Sequence, residues 1–168
     1  TQIITENVEE INTHELEVAK NNVAEKTQTT DKSEGIANID GIEIATLPIT
    51  GTISSRYGVS SRIRSSTHTG LDIAASTGTP IKVIADGTVT SAQYTGSYGY
   101  LVKVEHGNGV ESWYAHTSKM YVKAGDEVKA GDVIAAVGST GNSTGPHLHL
   151  EIRINGQHVN PQKYIYNN

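Results

Sequence analysis

The chain has 168 residues, no cysteine and a formal net charge of −5. This length buries a core without covalent staples, and the lack of Cys excludes a disulfide framework and thiolate metal sites. No apolar run reaches about 18 residues, so no segment reads as a membrane span, and the scattered Lys and Arg form no basic stripe of the kind that binds nucleic acid.

Charge divides the chain. Residues 1–45 carry three Lys against ten acids, a net of −7; residues 46–168 carry ten Lys or Arg against eight acids, a net of +2, and the two sum to −5. The chain opens on Thr1 with no signal peptide, as a mature or trimmed form would. In residues 1–35, Ile4, Val8, Ile11 and Val18 fit a helical stripe that Glu15 and Asn22 interrupt, so a short helix and an unfolded stalk both fit. Thr27–Gly35 reads as linker. The expected division is an acidic, non-catalytic stalk or partner-binding arm over 1–44 and one domain over 45–168.

From Ala45 glycines punctuate β-branched runs. Pro80–Ala85, Gly87–Ser91, Leu101–Glu105, Val133–Val137 and Leu148–Ile154 read as strands. Asp86-Gly87 and Asn108-Gly109 read as hairpin turns between them. With no sustained helical period after residue 45, the expected fold is all-β and mainly antiparallel. Ala-Gly-Asp-x-Val/Ile occurs twice in Ala124–Ile134, six residues apart. This echo resembles the hairpins of lipoyl and biotinyl carrier domains, but the flanks of Lys119-Met120 match neither carrier motif, so it reads as β architecture.

Seven histidines are present. His14, His106 and His158 have no other ligand types at useful spacing and read as surface or hydrogen-bonded residues, His106 in a turn. His147 and His149 stand at i and i+2 where a strand begins, so they share one face, with Leu148 and Leu150 turned to the core. His68 and Asp72 also share parity, but four extended residues span about 13 Å, whereas ligand atoms on one ion sit roughly 3–3.5 Å apart. Gly70 between them permits a bend or a close approach; a turn capped by Asp72 fits the same residues. Together, His68, Asp72 and His149 would form a His₂Asp set with the fourth tetrahedral position open to water, the catalytic pattern for zinc. Ligand type alone also admits Mn²⁺ or Fe²⁺.

His68-Thr-Gly-Leu-Asp72, Tyr114-Ala-His116 and His147-Leu-His149 occur in that order, and this resembles the LytM/lysostaphin-type zinc endopeptidases. Ile53–Gly58, Gly138–Pro146 and Val159–Pro161 look like the family too, and the match runs from about Pro48 to Tyr166. The resemblance implies a LytM-type β-sandwich that hydrolyses peptidoglycan peptides outside the cytoplasm, in the wall, secreted or membrane-anchored. It implies that His68, Asp72 and His149 hold Zn²⁺. His116 and His147 would then act on the water and the scissile carbonyl, one as base and one stabilising the oxyanion, with His147 favoured as base beside ligand His149. The chain has no HExxH, so no glutamate base of the thermolysin kind is available. The Gly138–Pro146 loop is a candidate groove wall, and Tyr94, Tyr98, Tyr100, Trp113 and Tyr114 are candidates to line the site, with packing favoured for Tyr94, Tyr100 and Trp113.

The layout, a short acidic stalk before one LytM domain, also resembles membrane-anchored LytM proteins of endospore formers. That implies a second reading, a scaffold that binds a partner protein in the forespore–mother-cell channel, with or without hydrolysis. A third is an enzyme kept latent by a residue of 1–44 in the open zinc position.

Overall fold

The computed structural model describes residues 35–58 and 68–166. The stripe, His14 and all of the linker but Gly35 lie outside the described residues. Twelve strands are described: β1 (Ala37–Ile39), β2 (Ile42–Ile44), β3 (Thr52–Ser55), β4 (Leu71–Ala74), β5 (Pro80–Lys82), β6 (Gly87–Tyr94), β7 (Tyr100–Gly107), β8 (Val110–Met120), β9 (Glu127–Val128), β10 (Val133–Val137), β11 (His147–Ile154) and β12 (Gln157–Val159). β1 and β2 form their own hairpin. The other ten make one antiparallel sheet in the order β9-β6-β7-β8-β11-β4-β3, with β12 on β11 and β10 joining β5 to β8. Among the described residues, helix is limited to two single 3₁₀ turns. The fold is all-β and mainly antiparallel, as the glycine-punctuated pattern predicts.

The five predicted strands exist, Val133–Val137 with the predicted ends and the other four with shifted ones, and Asn108-Gly109 does turn β7 into β8, both residues at positive φ. Asp86-Gly87 does not make a hairpin: β5 pairs with β10 while β6 pairs with β7 and β9, so the segment only passes the chain between two strands that do not pair with each other. The echo in Ala124–Ile134 is a repeated turn. Asp126 and Asp132 each accept from the backbone N–H three residues back, of Lys123 and Lys129, at 2.9 Å. Gly125 and Gly131 sit at φ +99° and +94° and donate to the carbonyls of Val89 and Val83.

Alternation along β11 and β8 separates two faces. Leu148, Leu150 and Ile152 of β11 and Ser112 and Tyr114 of β8 are fully buried on the core side with Val102, Val104 and Ile134. Tyr114 therefore does not line the site, in contrast to the sequence expectation; it is a core residue. Its hydroxyl accepts from the Ile84 N–H at 3.1 Å and donates to Ser112 Oγ at 2.6 Å. Ser112 in turn donates to His106 Nε2 at 2.8 Å, and His106 Nδ1–H donates to the Asp86 carbonyl at 2.8 Å. These donor directions are those that a neutral His106 requires. Burial pushes its pKa below the ordinary value, outweighing the Asp86 hydrogen bond that raises it. A folded-state pKa below the unfolded ~6.5 stabilises the fold above that pH and is lost as pH falls through it. Between about pH 7.5 and about pH 5 the parent is expected to lose more unfolding free energy than His106→Asn; equal losses in denaturant titrations would contradict this.

The β1–β2 hairpin falls inside the 1–44 segment expected to stand outside the domain, yet its Ile39 and Ile44 are buried in the common core. Its tip is tied to the β7–β8 turn by Asn108, which donates to the Asp40 carbonyl at 2.9 Å. Burying one such side chain contributes about 1.5–3 kcal/mol. A chain beginning at Ala45 is therefore expected to be up to about 3–6 kcal/mol less stable than one beginning at Gly35. Coincident denaturant midpoints for the two would refute it.

Candidate metal centre

Strand register assembles the site. His149 of β11 is the direct cross-strand partner of Asp72 on β4 and of Ala115 on β8. His68 lies just before β4, and the backbone at Gly70 passes tightly over β11. A Cβ at Gly70 would press on the Leu150 carbonyl oxygen and lie 2.9 Å from Glu151 Cγ and 3.0 Å from His149 Cε1. The glycine thus serves close approach, and it brings His68 and Asp72 together despite their separation along the chain.

Among the described residues, His68, Asp72 and His149 form a buried group able to hold a metal ion. His149 Nδ1 lies 2.9 Å from Asp72 Oδ1, His68 Nε2 lies 3.1 Å from the same oxygen, and the two nitrogens are 3.2 Å apart. Bonds of about 2.0–2.2 Å to one ion would set tetrahedral ligand atoms roughly 3.3–3.5 Å apart, so the three atoms are within a few tenths of an ångström of a zinc-sized set. Their outer partners select the right tautomers. His68 Nδ1–H donates to the Arg56 carbonyl at 2.9 Å, and His149 Nε2–H donates to Glu151 Oε2 at 2.9 Å. With both rings neutral, three lone pairs converge on one point, an arrangement that calls for a cation.

A proton is the alternative occupant. Burial alone would lower the pKa of His149, but hydrogen bonds to Asp72 and Glu151 overcome it and raise the pKa to about 9. Asp72 is held well below the usual carboxylate range: burial would raise it, and hydrogen bonds from His149 and His68 outweigh burial. Glu151, fully inaccessible, is likewise held down at about 2 against burial by its His149 bond. The pocket is built for positive charge.

His147 and His116 stand beside this group. His147 shares the face of His149 by strand parity; its Nδ1–H donates to the Gly145 carbonyl at 2.9 Å, and its Nε2 lies 3.6 Å from Asp72 Oδ2. His116 reaches the site by a β-bulge. The pairs Tyr100–Thr117 and Val102–Tyr114 oppose three residue steps on β8 to two on β7, and His116 occupies the extra position at φ +63°. A non-glycine residue in this left-handed region is strained, and bulges re-aim side chains. Here the ring swings to 4.9 Å from His147 and 5.8 Å from His149, centroid to centroid. His116 Nδ1–H donates to the Thr140 carbonyl at 2.7 Å. Burial pushes its pKa down to about 4, against the Thr140 bond that raises it. Both rings therefore point an Nε2 lone pair away from their backbone anchors.

The Gly138–Pro146 loop thus does more than border the site, since its Thr140 and Gly145 carbonyls fix the tautomers of both histidines. Tyr98 stands 5.8 Å from the His149 ring and 5.7 Å from Trp113, while Tyr94 and Tyr100 form an exposed edge-to-face pair. His158 meets the Tyr57 hydroxyl at 2.8 Å, away from these rings. Glu151, not among the candidates read from the sequence, joins the site through its 2.9 Å contact with His149 Nε2. Its signal was parity: His147, His149 and Glu151 alternate on one face of β11.

Residues 66–161 match the model of Peptidase family M23. The chain is 55% identical over 94 residues to the DD-carboxypeptidase/endopeptidase Mpg of Neisseria meningitidis, covering 56% of this chain and 22% of that protein. It thus spans about a fifth of the length of the curated relatives it matches first. The catalytic domain of the antimicrobial peptidase lysostaphin from Staphylococcus simulans superposes with a TM-score of 0.63 at 34% identity, covering 67% of this chain and 90% of that one. A chain from a solved complex of SpoIIIAH and SpoIIQ gives a TM-score of 0.63 at 26% identity, covering 70% and 97%.

Proposed function

The chain belongs to peptidase family M23, and from that premise we propose that it is a zinc-dependent endopeptidase of bacterial peptidoglycan. His68 Nε2, Asp72 Oδ1 and His149 Nδ1 hold the metal, and His147 and His116 carry the proton chemistry. The observation that carries this reading is the convergence of three lone pairs at 2.9–3.2 Å with two further imidazoles beside them. Zinc in such a set polarises a carbonyl oxygen and lowers the pKa of water toward about 7.

The protein's residues supply the rest. His147 Nε2 accepts the proton of the attacking water. Its imidazolium is then stabilised by Asp72 Oδ2, 3.6 Å away, which favours His147 as the general base. His116 is neutral at physiological pH and its Nδ1–H is committed to Thr140. Its Nε2 accepts a hydrogen bond from the water or the scissile amide and can donate to an oxyanion only after protonation. Because the substrate is wall peptide, the domain acts outside the cytoplasm.

The test is digestion of purified peptidoglycan by zinc-loaded protein, with mass analysis of the fragments. New amino termini within stem peptides or cross-links, on intact glycan strands, are expected, and they also identify whether Gly–Gly or a diaminopimelate-containing bond is cut. Cleaved glycan with intact peptides, or no release at all, would reject the reading.

A second reading rests on the likeness to a chain of the SpoIIIAH and SpoIIQ complex: a partner protein docks on this fold, and the domain serves as a scaffold in an endospore former. The two roles are compatible. A His149→Ala chain that still fulfils its cellular role would favour the scaffold.

A further inference from the structure

Strand β11 places His147, His149, Glu151 and Arg153 on one face at successive i+2 positions. Glu151 is inaccessible to solvent, and both its carboxylate oxygens are saturated. Oε2 accepts three hydrogen bonds, from Thr69 Oγ1 at 2.6 Å, Tyr98 OH at 2.8 Å and His149 Nε2 at 2.9 Å. Oε1 takes the Arg153 fork, Nε at 2.8 Å and Nη2 at 2.7 Å. Arg153 itself lies over the Trp113 ring, its guanidinium carbon 3.9 Å from the centroid.

A buried carboxylate is costly unless paired, and five donors are far more than a structural ion pair with Arg153 requires. The arrangement has a direction. Arg153 fixes one edge of the carboxylate, Thr69 and Tyr98 fix the other, and the remaining acceptor capacity is aimed at His149 Nε2. That bond forces the proton of a neutral His149 onto Nε2 and leaves Nδ1 for the cluster with His68 and Asp72. The other three histidines of the site turn their anchored ring nitrogen to a backbone carbonyl; His149 alone among them turns it to a carboxylate, which also makes its ring a more basic metal ligand.

We propose that Glu151 is a positioning residue that sets the metal affinity of the site, by fixing the tautomer and orientation of His149 while Arg153 and Trp113 fix Glu151. This rests on the reading of His68, Asp72 and His149 as metal ligands. A glutamine at 151 would turn an amide NH₂ either toward Arg153 or toward the three Oε2 donors, and so cannot satisfy both edges.

The experiment is zinc titration against a competing chelator, with the thermal stability of each metal-free chain measured alongside. Glu151→Gln is expected to bind zinc about 10–100-fold more weakly than the parent. Arg153→Met removes the clamp but keeps the Glu151–His149 bond, and it is expected to lose thermal stability while retaining zinc affinity within a few-fold. Parental affinity in Glu151→Gln, or a loss in Arg153→Met as large as in Glu151→Gln, would overturn the proposal. Should Glu151→Gln fail to fold, nitrogen-resolved NMR of the zinc-loaded parent decides. A slowly exchanging His149 Nε2–H with Nδ1 unprotonated supports the proposal, and a proton on Nδ1 refutes it. Failure of the underlying reading looks different: His149→Ala would then bind zinc as the parent does.

Discussion

His147→Ala and His116→Ala are each expected to keep one zinc ion per chain and to lose about 10²–10⁴-fold in turnover, the usual contribution of a positioned acid–base group. Neither ring belongs to the group of converging ligand atoms, and both are anchored through Nδ1 to loop carbonyls, at Gly145 and Thr140. Truncating either should therefore leave the His68, Asp72 and His149 arrangement in place. The larger loss is expected at His147, whose Nε2 faces Asp72 Oδ2. The double variant should lose little more than His147→Ala, because groups that act as a unit are not additive. Peptide release from purified peptidoglycan, read beside zinc content, checks this. Parental rates in both single variants would remove the two histidines from the mechanism.

His149→Ala is expected to lose both zinc and activity. The substitution deletes one of three ligands and also takes the Nε2–H from Glu151, so a buried carboxylate keeps four donors in place of five. Thermal unfolding of the variant separates metal loss from misfolding: the core residues Leu148 and Leu150 on the opposite face of β11 are untouched. Elemental analysis should show zinc near one per chain in the parent and near none in a folded variant. Equal zinc in both would mean that the metal lies elsewhere.

Much of this site is legible in the sequence because strands impose a period of two. The shared face of His147 and His149 and the core face of Leu148 and Leu150 follow from that period, and the use of a glycine between His68 and Asp72 follows from the reach of an extended chain. What was not legible has specific causes. His116 is named by the family resemblance but not by strand parity, because it reaches the site through a bulge at positive φ that depends on the register of β7 against β8. Tyr114 adjoins the site in sequence but falls on the core parity of β8. Glu151 had the parity of a site residue, yet its role appears only when Thr69, Tyr98 and Arg153 converge on it from three segments. Asp86-Gly87 has hairpin chemistry, but its flanking strands find other partners. The acidic texture around Ile39 and Ile44 masked two core residues, since burial of isolated apolar side chains in a short hairpin leaves no long periodic signal.

Crystals of zinc-loaded protein, with anomalous diffraction recorded at the zinc edge, test the central claim most directly. One peak per chain is expected, about 2.0–2.2 Å from His68 Nε2, Asp72 Oδ1 and His149 Nδ1, with His116 and His147 outside bonding distance. A peak bonded to His116 or His147, or no peak among these five side chains in zinc-loaded crystals, would contradict it.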